Sequence, residues 1–142
     1  MGNTDPNLGD EQDREWKERL SDLEYHVTRE GGTERAFSGM LYKEGREGTY
    51  HCICCDQVLF TSTMKYDSGC GWPSFHTEHH QADIRRLVDT THGMRRIEVR
   101  CGSCEAHLGH VFDDGPHQHG GERYCINSAS MAFEHSPTTS KD

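Results

Sequence analysis

Long apolar runs are missing from this sequence. Hydrophobic residues fill only 32% of its 142 positions, and the mean hydropathy is −0.91. No run of 18 apolar residues occurs, so nothing here reads as a membrane-spanning helix. An excess of basic charge is missing too. The 15 Lys and Arg stand against 24 Asp and Glu, a net charge of −9, which argues against a nucleic-acid or anionic-membrane partner. Met1 to Pro6 carry neither the basic nor the apolar segment of a secretory signal. Pro6 also stands where a myristoylation signal wants Ser or Thr. A single domain of this length buries roughly 68% of the surface its unfolded form exposes. A core this lean would gain from a structural metal.

Cysteine, by contrast, is plentiful: seven residues that sort into two chemically different sets. Cys52/Cys55 and Cys101/Cys104 form two C-x-x-C pairs, a spacing that lets one tight turn present two sulfurs to a tetrahedral Zn²⁺. The 45 residues between Cys55 and Cys101 exceed those of a compact zinc ribbon, so the two turns must meet in space and clamp the sheet ends together. The bland reading is that one pair is a redox motif. Cys54 reads as a small buried hydrophobe, and His51 as packing beside the cluster rather than a ligand. Cys70 and Cys125 lie outside the pairs and are free for redox work. An odd cysteine count fits a disulfide framework badly; reduced thiols used as ligands and catalysts point to a cytoplasmic protein.

Composition predicts disordered tails over residues 1–12 and 136–142, around one domain over 13–135. Trp16, Leu20 and Leu23 recur at helical spacing, which predicts a short helical arm over 13–23, and Gly31-Gly32 breaks the chain. Thereafter come short runs divided by turn residues, at 50–54, 58–61, 84–88, 96–101, 108–112 and 123–133. Residues 96–101 alternate as a strand with one wet face does. The expected class is all-β, mainly antiparallel, a sandwich or barrel, with 73–82 as loop or a helical turn.

On a strand through 123–128, Arg123, Cys125 and Asn127 share a face. A thiol there sits beside a fixed positive charge, which favours the reactive thiolate, and an amide; the bland reading is an inert packed cysteine. His107 and His110 are positioned to pass protons near neutral pH, or are surface residues before the turn at Asp113-Asp114-Gly115-Pro116. Cys70, between Gly69 and Gly71, is a mobile thiol suited to resolving an oxidised partner. Trp72 walls a small apolar pocket or fills the core. His76, His79, His80, His117 and His119 read as solvated loop residues.

Taken in order, Gly32-Thr33-Glu34, Gly48-Thr49-Tyr50-His51-Cys52, Lys65-Tyr66-Asp67-Ser68-Gly69-Cys70-Gly71-Trp72-Pro73-Ser74-Phe75, Arg96-Ile97-Glu98-Val99-Arg100-Cys101, His107-Leu108-Gly109-His110-Val111-Phe112 and Arg123-Tyr124-Cys125-Ile126-Asn127-Ser128-Ala129-Ser130 resemble the B-type methionine sulfoxide reductases. The resemblance implies two packed antiparallel sheets stapled by zinc on Cys52, Cys55, Cys101 and Cys104. It implies that Cys125 attacks the sulfoxide sulfur and that Cys70 resolves the product. It further implies that Trp72 packs on the substrate methyl, with His107, His110, Asp114, Arg123 and Asn127 shaping the polar side. The expected chemistry is reduction of free or protein-bound methionine-R-sulfoxide through a sulfenic acid and a disulfide, which a thioredoxin-like reductant reopens. Arg35-Ala36, where the family often has two prolines, and a longer loop at 117–121 depart from the pattern. Two rivals from other classes are a zinc-ribbon interaction module, which needs no Cys70/Cys125 pair, and a peroxide-sensing thiol switch.

Overall fold

A computed structural model describes residues 6–136. Helix α1 (Pro6–Arg19) opens on a proline, whose fixed φ suits the first helical turn and whose missing N–H is not needed there. Residues 6–12, expected to be disordered, are therefore helical. Residues 1–5 and 137–142 of the two expected tails lie outside the described residues. The arm also divides where one helix was predicted. Ser21 caps α2 (Asp22–Glu30): its hydroxyl accepts from the Glu24 amide at 3.1 Å, and the Glu24 carboxylate accepts from the Ser21 amide at 2.9 Å. This reciprocal box starts a new helix. Trp16 and Leu20 still face the core, whereas Leu23 is exposed. Gly31, left-handed at φ 72°, ends α2.

The strands follow as β1 (Gly48–Cys52), β2 (Val58–Thr61), β3 (Lys65–Tyr66), β4 (Ser74–Phe75), β5 (Ile84–Asp89), β6 (Arg96–Cys101), β7 (His107–Phe112), β8 (Arg123–Ile126) and β9 (Met131–His135). They make two antiparallel sheets, one in the order β2-β1-β9 and one in the order β3-β4-β8-β7-β6-β5. The fold is thus the expected antiparallel β architecture with two short helices. The run predicted over 123–133 is in fact two strands. The chain leaves the larger sheet after Ile126, turns through Ser128–Ser130 and enters the smaller sheet at Met131. No helix among the described residues is long and apolar enough to cross a membrane.

Aromatic residues from the two sheets meet in the core. Phe60 stacks on Phe75 at 4.1 Å between ring centroids, and Tyr50 meets Phe75 edge-on at 5.1 Å. All three are fully buried, and each such ring removes 150–250 Å² from water. On β8, Tyr124 and Ile126 point into this core, so strand alternation turns Arg123 and Cys125 to the opposite face. The register places His110 of β7 and Ser74 of β4 on either side of Cys125, with Glu98 of β6 beyond His110.

Candidate active site and metal centre

Each C-x-x-C pair starts at the end of a hairpin strand, Cys52 closing β1 and Cys101 closing β6. The two turns are built alike. Asp56 donates its amide to the Cys52 carbonyl and Glu105 donates to the Cys101 carbonyl, each at 2.8 Å. Asp56 and Glu105 adopt left-handed conformations, φ 73° and 68°, which cost about 1–2 kcal/mol each. The hydrogen-bonded turns and the sulfur cluster they build offset that cost. The ligand atoms of Cys52, Cys55, Cys101 and Cys104 all lie within 4.8 Å of one another. Cys52 and Cys104 stand 3.6 Å apart, and Cys55 and Cys101 3.4 Å. A tetrahedral zinc with sulfurs at about 2.3 Å needs separations of about 3.8 Å, so the donor set and its size fit that ion.

Ionisation within the cluster agrees. Hydrogen bonds with Cys101 and Cys104 push Cys52 far up, hydrogen bonds with Cys101 and Cys52 hold Cys104 far down, and burial pushes Cys55 up to about 11. Thiols crowded this closely resist becoming thiolates together unless a cation joins them. Gln57 donates to Cys101 Sγ at 3.0 Å. His51, as expected, is no part of the cluster: its ring bonds to Thr49 Oγ1 at 2.7 Å and the Asp56 carbonyl at 3.0 Å. The helical arm is fastened over the same turns. Arg29 donates to the Cys104 carbonyl at 2.6 Å, and the guanidinium groups of Arg19 and Arg29 lie over the Trp16 ring at 4.9 and 4.6 Å.

The two remaining redox candidates come together although 55 positions separate them: Cys70 Sγ and Cys125 Sγ are 3.2 Å apart. Closing to a disulfide of about 2.05 Å takes a shift of little more than 1 Å. Burial pushes the Cys70 thiol up, but hydrogen bonds from the Ser68 and Ser74 hydroxyls and the Trp72 backbone outweigh it and bring the thiol down to about 7. Cys125 is driven well above the ordinary thiol range, first by burial and then by Cys70. Arg123 pulls Cys125 down as the sequence predicts, but it loses to those two effects. Its guanidinium is shared with Asp114 at 2.8 and 3.2 Å and lies 4.4 Å over the Phe112 ring. The thiols therefore titrate as a pair that gives up one proton readily and the second reluctantly.

The candidate residues divide between two openings. Cys125, Trp72, His110 and Asn127, with Phe112 and Thr33, line a cavity of about 90 Å³. Cys70, Arg123 and Asp114, with Tyr66 and Pro116, line an adjoining groove of about 460 Å³. Trp72 is not part of the core cluster, which removes the core-tryptophan reading. His110 Nε2 bonds to Asp89 Oδ2 at 2.8 Å. Asp89 is held far below the carboxylate range, first by the Thr91 hydroxyl and then by His110. His107 lies outside the cavity, buried, with Nδ1 on Glu98 Oε2 at 2.6 Å. Burial pulls its pKa down in spite of Glu98, so it stays neutral near pH 7.

Asn127 falls after the end of β8 rather than within a longer strand, yet still faces the cavity. The loop histidines pair among themselves: His76 stacks on His119 at 3.7 Å and His79 on His80 at 4.4 Å. They form no second metal cluster among the described residues. Sequence reasoning missed Asp89, Glu98, Arg96 and Ser74. A strand pattern shows that such residues share the wet face, but only the cross-strand register shows which of them meet His107, His110 and the thiols.

Comparison with known proteins places the chain in a family. Residues 20–135 match the family model described as the SelR domain. The chain is 56% identical over 119 residues to the peptide methionine sulfoxide reductase MsrB of Escherichia coli O139:H28 (strain E24377A / ETEC), covering 84% of this chain and 86% of that one. The proteins of the same name from Escherichia coli strain K12 / DH10B and from O157:H7 (strain EC4115 / EHEC) match to the same extent. Among solved structures, that of the Mis18 "Yippee-like" domain aligns with a TM-score of 0.51 at 13% identity, covering 66% of this chain and 100% of that one; at that identity it speaks for the fold alone. By its SelR domain and its identity with these reductases over most of its length, the chain belongs to the MsrB family of peptide methionine sulfoxide reductases.

Proposed function

We propose that this chain reduces the R epimer of methionine sulfoxide, free or within proteins, with Cys125 as nucleophile and Cys70 as resolving thiol. The observation that carries the reading is the 3.2 Å approach of those two sulfurs, with Cys125 opening on a cavity that also holds Trp72, His110 and Asn127. A cavity of about 90 Å³ admits the end of a side chain, the methyl and sulfoxide groups, and leaves the rest of a polypeptide outside. Trp72 and Phe112 offer apolar faces to the methyl. His110 and Asn127 offer polar groups to the oxygen.

As substrate arrives, Cys125 passes its proton to the neighbouring Cys70 thiolate and bonds to the sulfoxide sulfur while His110 gives a proton to the oxygen. The hydroxyl passes to Cys125, methionine departs, and Cys125 is a sulfenic acid. Cys70, whose thiol ionises near neutral pH, attacks that sulfur; water leaves and the Cys70–Cys125 disulfide forms. A dithiol protein of the thioredoxin kind then exchanges with the disulfide, becoming oxidised as both cysteines are restored. The groove beside Cys70 gives such a partner a way in that the narrow cavity does not. Arg123 and Asp114 line that groove and fix its charge. Zinc on Cys52, Cys55, Cys101 and Cys104 ties the two hairpins together and takes no part in the redox steps. Such thiol chemistry belongs to a reducing compartment, the cytoplasm.

The test is stereochemical. With dithiothreitol as reductant, the R epimer of methionine sulfoxide should disappear and the S epimer persist. Consumption of neither, or of the S epimer alone, contradicts the reading.

A further inference from the structure

Glu34 lies in the loop between α2 and β1 and is 2% exposed. A buried carboxylate is costly unless it is well bonded. Here the bonds come from backbone amides. Oε2 accepts from the Ser128 N–H and Oε1 from the Ala129 N–H, each at 2.9 Å, at the turn that follows β8. Thus anchored, Glu34 uses its main chain for something else. Its N–H donates to Asn127 Oδ1 at 2.9 Å, and its carbonyl accepts from the Trp72 indole Nε1–H at 3.0 Å. Asn127 is fixed from the other side, donating Nδ2–H to the Leu108 carbonyl at 3.1 Å. One residue therefore sets the positions of two walls of the cavity, the indole and the amide, which come from segments 55 positions apart. Its own surroundings leave it no slack, because a Cβ at Gly39 would collide with Glu34 Oε2 and Ser128 Oγ.

We propose that Glu34 is a positioning residue that sets the width of the cavity and so restricts the substrate to methyl sulfoxides. The inference rests on the function proposed above, in which Trp72 packs on the substrate methyl. Glu34 never touches substrate; it acts through Trp72 and Asn127. In Glu34→Gln the size is kept, but the amide nitrogen cannot accept. One of the two backbone N–H groups is left without a partner, and the loop that carries both wall contacts loosens.

The experiment compares kcat/KM for methionine R-sulfoxide and for its ethyl analogue, ethionine R-sulfoxide, in wild type and Glu34→Gln, with dithiothreitol as reductant. A well-fixed wall discriminates one methylene by about 10–200-fold. Glu34→Gln should lose about tenfold or more in kcat/KM for the methyl substrate, mainly through KM, as misplaced walls do. Its preference for methyl over ethyl should shrink toward unity. An unchanged preference overturns the proposal, whether activity is kept or falls equally for both substrates, because a merely structural role predicts no change in selectivity. If the variant fails to fold, hydrogen exchange of the Trp72 indole N–H in the wild type decides, with its resonance assigned through Trp16→Phe. Slow exchange supports the anchoring, and exchange as fast as that of an exposed indole overturns it. A wild type inactive on both sulfoxides tells instead against the proposed function.

Discussion

Replacing Cys101 by serine tests how much of the fold depends on the four-cysteine centre. Cys101 is fully buried, closes β6, and sits 3.4 Å from Cys55 on the other hairpin. Serine keeps the size but offers a hydroxyl where the centre needs a thiolate. Structural zinc contributes about 10–16 kcal/mol on binding in small domains, against a total stability of about 5–15 kcal/mol for a typical domain. A three-thiolate remnant that loses about a third of the binding energy forfeits about 3–5 kcal/mol. At about 3 °C per kcal/mol for a domain of this size, the melting temperature falls by about 10–15 °C. The assay is elemental analysis of metal per chain, paired with a thermal melt followed by circular dichroism. Cys54→Ala is the control: a buried thiol outside the cluster, expected to keep one metal per chain and to lose about 1 kcal/mol. Cys101→Ser that retains one equivalent of zinc and melts with the wild type refutes the reasoning.

Cys125→Ser should abolish turnover with every reductant, while Cys70→Ser should release about one methionine per chain and then stall with a thioredoxin-like protein, leaving a sulfenic acid on Cys125; quantified methionine release distinguishes the two. In the reduced, metal-loaded protein, iodoacetamide should modify Cys70 first, with a rate that rises as pH passes about 7, because the thiolate is the reactive form. Peptide mapping that finds Cys125 modified first contradicts the order of ionisation described here. Trp72→Ala should lower kcat/KM by about tenfold or more and keep the metal, since the indole lines the cavity and is no part of the core. An unfolded variant, or one with native kinetics, contradicts that placement.

Residue spacing already revealed the two cysteine pairs, because two residues between ligands is a local geometric requirement. It also revealed the wet face of residues 96–101 and the shared face of Arg123 and Cys125, because strand alternation is local too. What spacing could not reveal depends on contacts across the chain. The carboxylate that His110 Nε2 bonds to belongs to Asp89, 21 positions away and brought in by the β5–β6–β7 register. The ionisation order of the two thiols depends on Ser68 and Ser74 and on how deeply Cys125 is buried, and Arg123 alone suggested the opposite emphasis. Glu34 carried no signal of its own beyond the family motif, since its role lies in backbone hydrogen bonds to segments about 40 and 90 positions distant. One error had a local remedy. Ser21-Asp22-Leu23-Glu24 is a capping-box pattern, and it divides the arm where apolar spacing alone runs a single helix.

The central claim is that Cys125 is oxidised by the sulfoxide and Cys70 resolves it. One equivalent of methionine R-sulfoxide added to fully reduced protein, with no reductant present, tests this directly by methionine quantification and a non-reducing peptide map. The account predicts one methionine per chain, a Cys70–Cys125 disulfide, and Cys52, Cys55, Cys101 and Cys104 unlinked. Methionine without that disulfide, or a bridge from Cys125 to Cys54 instead, contradicts it.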